Sequence, residues 1–509
     1  MKFIGIHSGH DANITYSDDT NVRYIKVERN FQKKHHPGGI RTHNQVIDHL
    51  RDHLTLAKKL FNIDFSKIDA ICIYDCFDWN GFLPLNKLYT EIKDTNNALW
   101  YNFKCPIYLI DHHYAHALSC WPLTDVVDKN TTHFVVDERG SCHRTAGIYR
   151  NNNLLDYEDV SSPSWSGTVR IHGADNLKIK GNDLDIPGKV MALKSYHNLS
   201  DDTVNDIMTT LKFFNYHHFN VALNIINKFE SGDTPTRQTY INIAHLLHVF
   251  AEEKMPKWFE QYANVNDIVT YSGGTAQNII INTALKNKFP NLVIPPHCPD
   301  DGISLGCVEF LRQYYDQPPF DTSNFPFWQS DEAPATVPSN DTVNQTAELL
   351  ARGKIVGWYQ GHGELGPRAL GNRSILMNPT IKHGKDLINN KVKHREPYRP
   401  FGASILSENA NQFFECDYES SYMLYNFKCR DADKFKSITH VDGTCRIQTV
   451  SQQPQHEHYY RLIDRFKQLT GIPMLLNTSL NVDGKPIAGY IENANELYNT
   501  TELDALVVG

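Results

Sequence analysis

Two stretches of this 509-residue chain repeat one plan. KFIGIHSGHDANITY (residues 2–16) and HFVVDERGSCHRTAGIY (residues 133–149) each run from an apolar segment through a polar turn carrying an acid into a second apolar segment. Each predicts a β-hairpin whose tip presents polar groups. A chain that uses the same hairpin twice is drawn toward a duplicated fold, with paired half-domains facing each other across a nucleotide. Two unrelated hairpins satisfy the same pattern, and at this level both readings stay open.

The rest of the chain alternates helical and strand patterns. DDTVNDIMTTLKFF and TYINIAHLLHVFAEEKMPKWFEQY space apolar residues by three and four, as helices do. DIVTYSGGTAQNIIINTALKN reads as strand, glycine turn and helix, NQTAELLARGKIVGWYQ as helix, glycine stop and strand, and the final GYIENANELYNTTELDALVVG as helix and strand. The expected class is therefore α/β throughout. From about residue 316 to 340 a stretch rich in proline, serine and acids has no sustained period, which predicts a boundary between domains at 1–325 and 340–509.

Composition excludes some roles. With 40% hydrophobic residues the chain has material for packed cores, and a net charge of -8 argues against coating nucleic acid by bulk electrostatics, while leaving room for a local basic groove. The apolar run at the start is too short for a signal peptide, and no later run approaches the ~20 residues that span a bilayer, so a cytoplasmic protein without membrane contact is expected. The ten cysteines form no CxxC pair, and CIYDC (72–76) sits in a strand pattern, so buried free thiols are expected rather than a disulfide framework.

In DHHYAHALSC (111–120), helical periodicity puts His112 and His116 on one face and turns His113 elsewhere, with Asp111 at the N-cap position. Such a pair also occurs on solvated faces, so other donors matter. Asp137 ends the strand HFVV, and Asp300 precedes a glycine in HCPDDGISLG, with Asp301 as its competitor. Two imidazoles and two carboxylates suit iron, manganese or zinc better than calcium, and leave positions open for substrate oxygens.

Two further features suggest anion binding. YSGGTAQN follows a strand and opens a helix, so Gly273 and Gly274 let backbone N–H groups approach a phosphate, with Asn278 in reach of a ribose or phosphate oxygen. Arg368, Arg373, Lys393, Arg395, Arg399 and Arg446 lie beside glycines, prolines or strand ends, where planar guanidinium groups can fork onto a small dianion. NTSLN (477–481) adds Asn477 and Thr478 as donors.

The motifs HDA, DHHYAHA, GKVMALKSY, GGTAQN, PDDGISLG, GELGPRALGNRSIL, KVKHREPYRPF, HVDGTCRIQTV and GIPMLLNTSLN occur in this order. Together they resemble the O-carbamoyltransferases of the nodulation and antibiotic-tailoring type over nearly the whole chain. The resemblance implies an N-terminal actin-like ATPase domain, duplicated as in sugar kinases and Hsp70, and a C-terminal α/β domain of the threonylcarbamoyl-adenylate-synthase type. It implies a divalent ion, Fe2+ with Mn2+ or Zn2+ as alternatives, on His112, His116, Asp137 and Asp300. Carbamoyl phosphate and ATP with Mg2+ would form carbamoyl adenylate at Arg368 and Arg399. Arg373, Lys393, Arg395, Arg446, Asn477 and Thr478 would bind the same ligands, together with Gly273, Gly274 and Asn278. The carbamoyl group would then pass to an alcohol, with His10 as base or nucleotide contact.

Lys34, in the basic segment NFQKKHHPGGIRTH (30–43), matches a family motif in part together with Glu28 and Arg29. It is expected to act at the active site or to grip an anionic acceptor such as a hydroxymethylated nucleotide or DNA, against the plainer reading of a surface loop. The chain departs from the family pattern at Glu138 and Ser141, where glycine and glutamate are usual, at LKSYHN, and at Asp483, where arginine is frequent. Sequence alone leaves the acceptor open among sugars, antibiotics and nucleotides, and the assembly open between monomer and homodimer. An actin-like small-molecule kinase, or a non-catalytic protein gated by nucleotide, would use the hairpins and the GG loop but leave the arginine motifs unexplained.

Overall fold

A computed structural model describes residues 1–37, 43–74, 83, 87–92, 103–121, 127–138, 140–141, 144–159, 173, 176–214, 218–230, 236–330 and 336–509. Cys76, Arg139, Cys142, residues 38–42 of the basic segment and residues 331–335 of the aperiodic stretch lie outside them. The chain forms two compact units, each discontinuous in sequence: Met1–Asp69 with Leu99–Lys104 and Asp316–Gly509, and Ala70–Ala98 with Cys105–Tyr315.

The first predicted hairpin is present as β1 (Lys2–His7) and β2 (Asn13–Asp18), paired from Lys2↔Asp18 to His7↔Asn13 and extended by β3 (Asn21–Lys26) into an antiparallel meander. In the second unit β4 (Ala70–Tyr74) runs parallel to β6 (Ile107–Ile110), and β5 (Tyr89–Glu91) pairs antiparallel with β6. AICIY and IYLI are buried at every position, which is why both read as unbroken apolar runs.

The second hairpin is β7 (Thr132–Val136) and β8 (Arg144–Arg150), continued by β9 (Asn153–Asp159) and followed in the chain by the parallel strands β10 (Val269–Ser272) and β11 (Leu292–Val293). Their order in the sheet is β11-β10-β7-β8-β9. A meander followed in sequence by two parallel strands thus occurs twice, from β1 to β6 and from β7 to β11. Unrelated hairpins would not each be followed by the same pair, so the repeat agrees with the duplicated plan expected from the sequence.

The first unit also holds a seven-stranded sheet of β12 (Val356–Tyr359), β13 (Arg373–Met377), β14 (Gly402–Leu406), β15 (Asn426–Lys428), β16 (Thr444–Val450), β17 (Met474–Ser479) and β18 (Ala505–Val508). Its order is β15-β16-β14-β17-β13-β12-β18, with β14 parallel to β16 and β12 parallel to β18. The α/β class therefore holds in both units. The described part of the aperiodic stretch is well packed: Phe325, Phe327 and Trp328 are buried, the N–H of Ser330 donates to the Tyr24 carbonyl at 2.7 Å, and the Gln329 side chain accepts the Lys26 N–H at 2.8 Å. Its aromatic side chains, hidden from a periodicity search, supply that packing. The eight described cysteines are free thiols, and no helix among the described residues is long and apolar enough to cross a membrane.

In the second unit the helix His112–Ser119 is fastened to the hairpin β7–β8 by one carboxylate. Asp111 accepts the N–H of Tyr114 at 2.8 Å as the expected N-cap, the Arg144 guanidinium at 2.8 Å and the Tyr149 hydroxyl at 3.0 Å. Both ionic side chains are 1% exposed. Removing one partner strands a buried charge, at a cost of about 3–5 kcal/mol. Arg144→Ala is expected to lower the stability of this unit by that amount, read as a lower denaturant midpoint by tryptophan fluorescence.

Candidate metal centre and anion site

The four predicted ligands meet within the second unit. His112 and His116 project from one face of their helix, Asp137 follows β7, and Asp300 stands in the short turn Asp300–Gly302 that opens the helix Ile303–Tyr314. That helix packs against His112–Ser119 at Gly306, where any Cβ would lie 1.9 Å from the Ala115 carbonyl oxygen. Only glycine permits the approach that brings Asp300 to the histidines.

His116 Nε2 lies 3.2 Å from both Asp137 Oδ2 and Asp300 Oδ1, and His112 Nε2 lies 3.5 and 3.6 Å from the same two oxygens. A divalent ion about 2.1 Å from each donor sets neighbouring donors about 3.0 Å apart in octahedral and about 3.4 Å apart in tetrahedral geometry. His112 Nε2 and Asp137 Oδ2 are buried without a hydrogen-bond partner, so the four residues fit a divalent transition ion. The other Asp137 oxygen is already engaged by the N–H of Glu138 at 2.7 Å. Ser141, at a departure from the family pattern, accepts the His112 N–H at 2.9 Å and so satisfies a donor at the helix start.

The electrostatics of the four are those of a cation site. Burial alone would depress His116, but the Asp137 and Asp300 carboxylates, each 3.2 Å from its Nε2, outweigh it and hold the imidazole up at about 9. Burial pushes the Asp137 carboxyl up, yet His112 and His116 hold it well below the usual range. His113 stands apart, as its spacing predicts: burial drives it well below its ordinary value, and its ring packs against Gly140. Asp301 is buried beside the site and is not among the four converging residues.

The glycine turn adjoins this centre. Gly273 has φ +92°, and a Cβ there would lie 2.3 Å from the Val136 carbonyl, while a Cβ on Gly274 would meet Asp137 Oδ1 at 3.1 Å. The Gly273 N–H donates to the Cys298 carbonyl at 2.7 Å. Gly274–Gln277 form a 3-10 turn, and the α-helix starts only at Ile279, because Asn278 Oδ1 caps it through the N–H groups of Ile280 and Ile281. The Asn278 side-chain nitrogen is buried without a partner and is the atom left for a ligand.

The basic residues gather in the first unit. Arg368, Arg395, Arg399, Arg446, Lys393 and Lys34 gather there: burial first, and then the neighbouring cations, lower Lys393 and Arg446 well below their ordinary values and bring Arg395 to about 9. Among the described residues Glu396 and Asp483 stand 3.3 and 3.5 Å from Arg399 Nη1. Arg395 Nε and Arg446 Nε are buried without hydrogen-bond partners. Arg368 rides on a loop pinned by Glu364, whose Oε1 accepts the N–H groups of Leu370 and Arg373 at 2.7 and 3.2 Å. Lys393 is half a clamp, since its ammonium donates to Ser479 and Asn481 carbonyls at 2.8 and 2.7 Å.

Arg373, Asn477 and Thr478 are placed differently. The Arg373 guanidinium donates to the carbonyls of Gln360, Gly361 and Asn372 at 2.6–3.0 Å and stacks 3.6 Å from the Tyr359 ring. Asn477 donates to Ala369 and Ser404, and Thr478 pairs with Ile375 inside the sheet. These three are set among backbone and sheet partners and not among the six cations. His10, 43% exposed, stands at the β1–β2 tip with its Nδ1 3.1 Å from Asp11. Sequence reasoning missed His35, Lys26 and the Asp11 carboxylate as a group, because their convergence depends on how residues 27–37 fold back on the hairpin.

Two family descriptions match: "Carbamoyltransferase N-terminus" over residues 80–308 and "Carbamoyltransferase C-terminus" over residues 347–509. The nodulation protein NolNO of Sinorhizobium fredii is 36% identical over 434 residues, 79% of this chain and 63% of that protein. The 3'-hydroxymethylcephem-O-carbamoyltransferase of Amycolatopsis lactamdurans is 33% identical over 265 residues, 50% of this chain and 48% of that enzyme. The chain spans 63%, 47% and 53% of the length of three curated relatives, the NolNO protein, a NolO protein of Bradyrhizobium diazoefficiens and a protein of Synechocystis. Among solved structures, that of T.kodakarensis HypF aligns with 62% of this chain and 48% of its own at 13% identity and a TM-score of 0.35.

Loaded with Fe2+, Mn2+ or Zn2+ and assayed by elemental analysis, the protein is expected to bind one ion; His116→Ala should abolish binding and Asp301→Asn should retain it. Because His116 is protonated below about 9, and ligation needs its neutral form, apparent metal affinity is expected to rise with pH up to about 9, by as much as tenfold per unit. Calorimetric titration at pH 6, 7 and 8 checks the slope.

Proposed function

The chain belongs to the carbamoyltransferase family, and from that premise we propose that it is an O-carbamoyltransferase that builds carbamoyl adenylate from carbamoyl phosphate and ATP and transfers the carbamoyl group to an alcohol. The observation that carries the reading is the gathering of Arg368, Arg395, Arg399, Arg446, Lys393 and Lys34, with buried guanidinium nitrogens on Arg395 and Arg446 left without a partner. Such a group calls for a polyanion, and carbamoyl phosphate and the triphosphate of ATP are of that kind. The C-terminal segment 340–509 is proposed as the activating part, and 1–325 as the part that carries the transfer chemistry.

In activation, Arg368, Arg395, Arg399 and Arg446 bind phosphate oxygens and offset their charge as the phosphoryl group of carbamoyl phosphate passes to water. The carbamate oxygen released attacks the α-phosphorus of ATP; the new P–O bond forms as the bond to pyrophosphate breaks. Lys34, close enough to Lys393 to act on it electrostatically, is assigned to this anion site in preference to an acceptor grip. Lys393 keeps Ser479 and Asn481 in place beside it.

In transfer, the acceptor hydroxyl attacks the carbamoyl carbon, AMP leaves with the electrons of the old C–O bond, and the hydroxyl proton goes to a base, for which His10 is the assigned residue. A divalent ion on His112, His116, Asp137 and Asp300 would supply Lewis acidity toward an acyl oxygen, worth about 3 kcal/mol if it acts as oxyanion donors do. The Asn278 amide and the Gly274–Gln277 turn are assigned to the nucleotide phosphate. The acceptor is proposed as a small-molecule or nucleotide alcohol.

Pyrophosphate release from ATP is expected to require carbamoyl phosphate, which neither a kinase nor a nucleotide-gated binding protein would show. Arg368→Ala and Arg399→Ala should abolish it, while His116→Ala should spare it and stop carbamoylation in a screen of alcohols that includes hydroxymethyl nucleobases. Pyrophosphate release independent of carbamoyl phosphate would overturn the assignment.

A further inference from the structure

The tip of the first hairpin carries a charge network. Asp11 Oδ2 lies 3.1 Å from His10 Nδ1, and both Asp11 oxygens lie 2.9–3.0 Å from His35 Nδ1. Glu28 accepts the N–H of His35 at 2.7 Å. The buried Lys26 ammonium stands 2.9 Å from Glu28 and 3.7 Å from Asp11. His7 reaches the same tip, its Nε2 2.7 Å from the His10 carbonyl.

Donor atoms of Asp11, Glu28 and His35 lie within 4.8 Å of one another, close enough to hold an ion. The Lys26 ammonium already supplies the cation that two buried carboxylates need, so the network is a charge-balanced scaffold and not a second metal site. Burial raises the Asp11 carboxyl, but His35, His10 and Lys26 outweigh it and hold it well below the usual range, so it is ionised at neutral pH. An ionised carboxylate only accepts hydrogen bonds. The ring nitrogens facing it must therefore carry hydrogens.

We propose that Asp11 is the positioning residue of the transfer base: it fixes His10 in the tautomer with hydrogen on Nδ1 and the lone pair on Nε2, and through His35 it ties that imidazole to the loop carrying Lys34. The second tie follows from the chain itself, since His35 is the neighbour of Lys34, sits at φ +55° and is held there by both carboxylates. One carboxylate thereby orients a proton acceptor and steadies the loop that brings a cation to the anion site. During transfer, Nε2 takes the acceptor's proton while Nδ1–H stays on Asp11, which remains an anion beside the imidazolium.

The inference rests on the proposed role of His10, and the test separates the two. In the full chain labelled with 15N-histidine, with His10→Gln used to assign the signal, long-range nitrogen–proton correlation is expected to show hydrogen on His10 Nδ1. Asp11→Asn, whose amide can donate to Nδ1, should move hydrogen to Nε2, and Asp11→Glu should restore the original tautomer. With the unmutated protein in the Nε2–H form, or with no change in Asp11→Asn, the inference fails.

In the kinetic arm, AMP release is followed with carbamoyl phosphate, ATP and water as acceptor. Asp11→Asn is expected to lose about a hundredfold in kcat with KM little changed, and the deficit should shrink as pH rises and hydroxide replaces the base. A loss equal at every pH would mark Asp11 as merely structural and overturn the proposal. If the unmutated protein releases no AMP with water or with any alcohol of the screen, the carbamoyltransferase reading fails, and the tautomer still decides the role of Asp11.

Discussion

The carboxylate of Asp111 sets the starting point of the helix that bears both candidate metal histidines. Three donors converge on it: the Tyr114 N–H, the Arg144 guanidinium and the Tyr149 hydroxyl. Buried ion pairs contribute little net stability, since desolvation offsets their attraction. What this one supplies is registry. With the first turn capped and tied to β8, and with Asp137 bound through its N–H to the Thr145 carbonyl at 2.9 Å, the imidazoles and the Asp137 carboxylate are fixed against one another before any ion arrives. The Gly306–Ala115 contact then sets the distance to Asp300.

The two candidate sites are built from opposite imbalances. In the second unit two carboxylates and two imidazoles point lone pairs into one small space, a geometry that a proton on His116 satisfies in part and a divalent cation satisfies in full. In the first unit arginines and lysines gather, with Glu396 and Asp483 against Arg399 among the described residues. Two like charges about 6 Å apart repel by about 3 kcal/mol at an effective dielectric near 20, so gathering them costs stability that only an anionic ligand returns. The network around Asp11 is the contrast: two carboxylates, a lysine and histidines arranged to neutralise one another, as a rigid support requires.

Much of the fold was legible because its signals are local. Both hairpins, the strand and helix about the GG turn, and the helices at 201–211 and 237–259 announce themselves in windows of a dozen residues. The stretch near 320–330 was harder to read. Its anchors, Phe325, Phe327 and Trp328, follow no period, and the backbone of Trp328, Gln329 and Ser330 finds its partners at Tyr24 and Gly363, far away in sequence. Arg373 shows the same limit from the other side: it resembles its neighbour Arg368 in sequence, yet it folds onto three carbonyls and a tyrosine ring.

Helical spacing by itself determined that His112 and His116 share a face, glycine placement determined where the chain can turn sharply, and the run of motifs determined the family. Only the tertiary structure decided that Asp300 joins the histidines while Asp301 does not, that Lys34 stands with the distant arginines, and that Asp11 engages His35 as well as its neighbour His10. The physical reason is range. Periodicity and capping act over a few residues along the chain, whereas these contacts join side chains across separations of tens to hundreds of residues, where packing and charge balance choose between neighbours that sequence alone leaves equivalent.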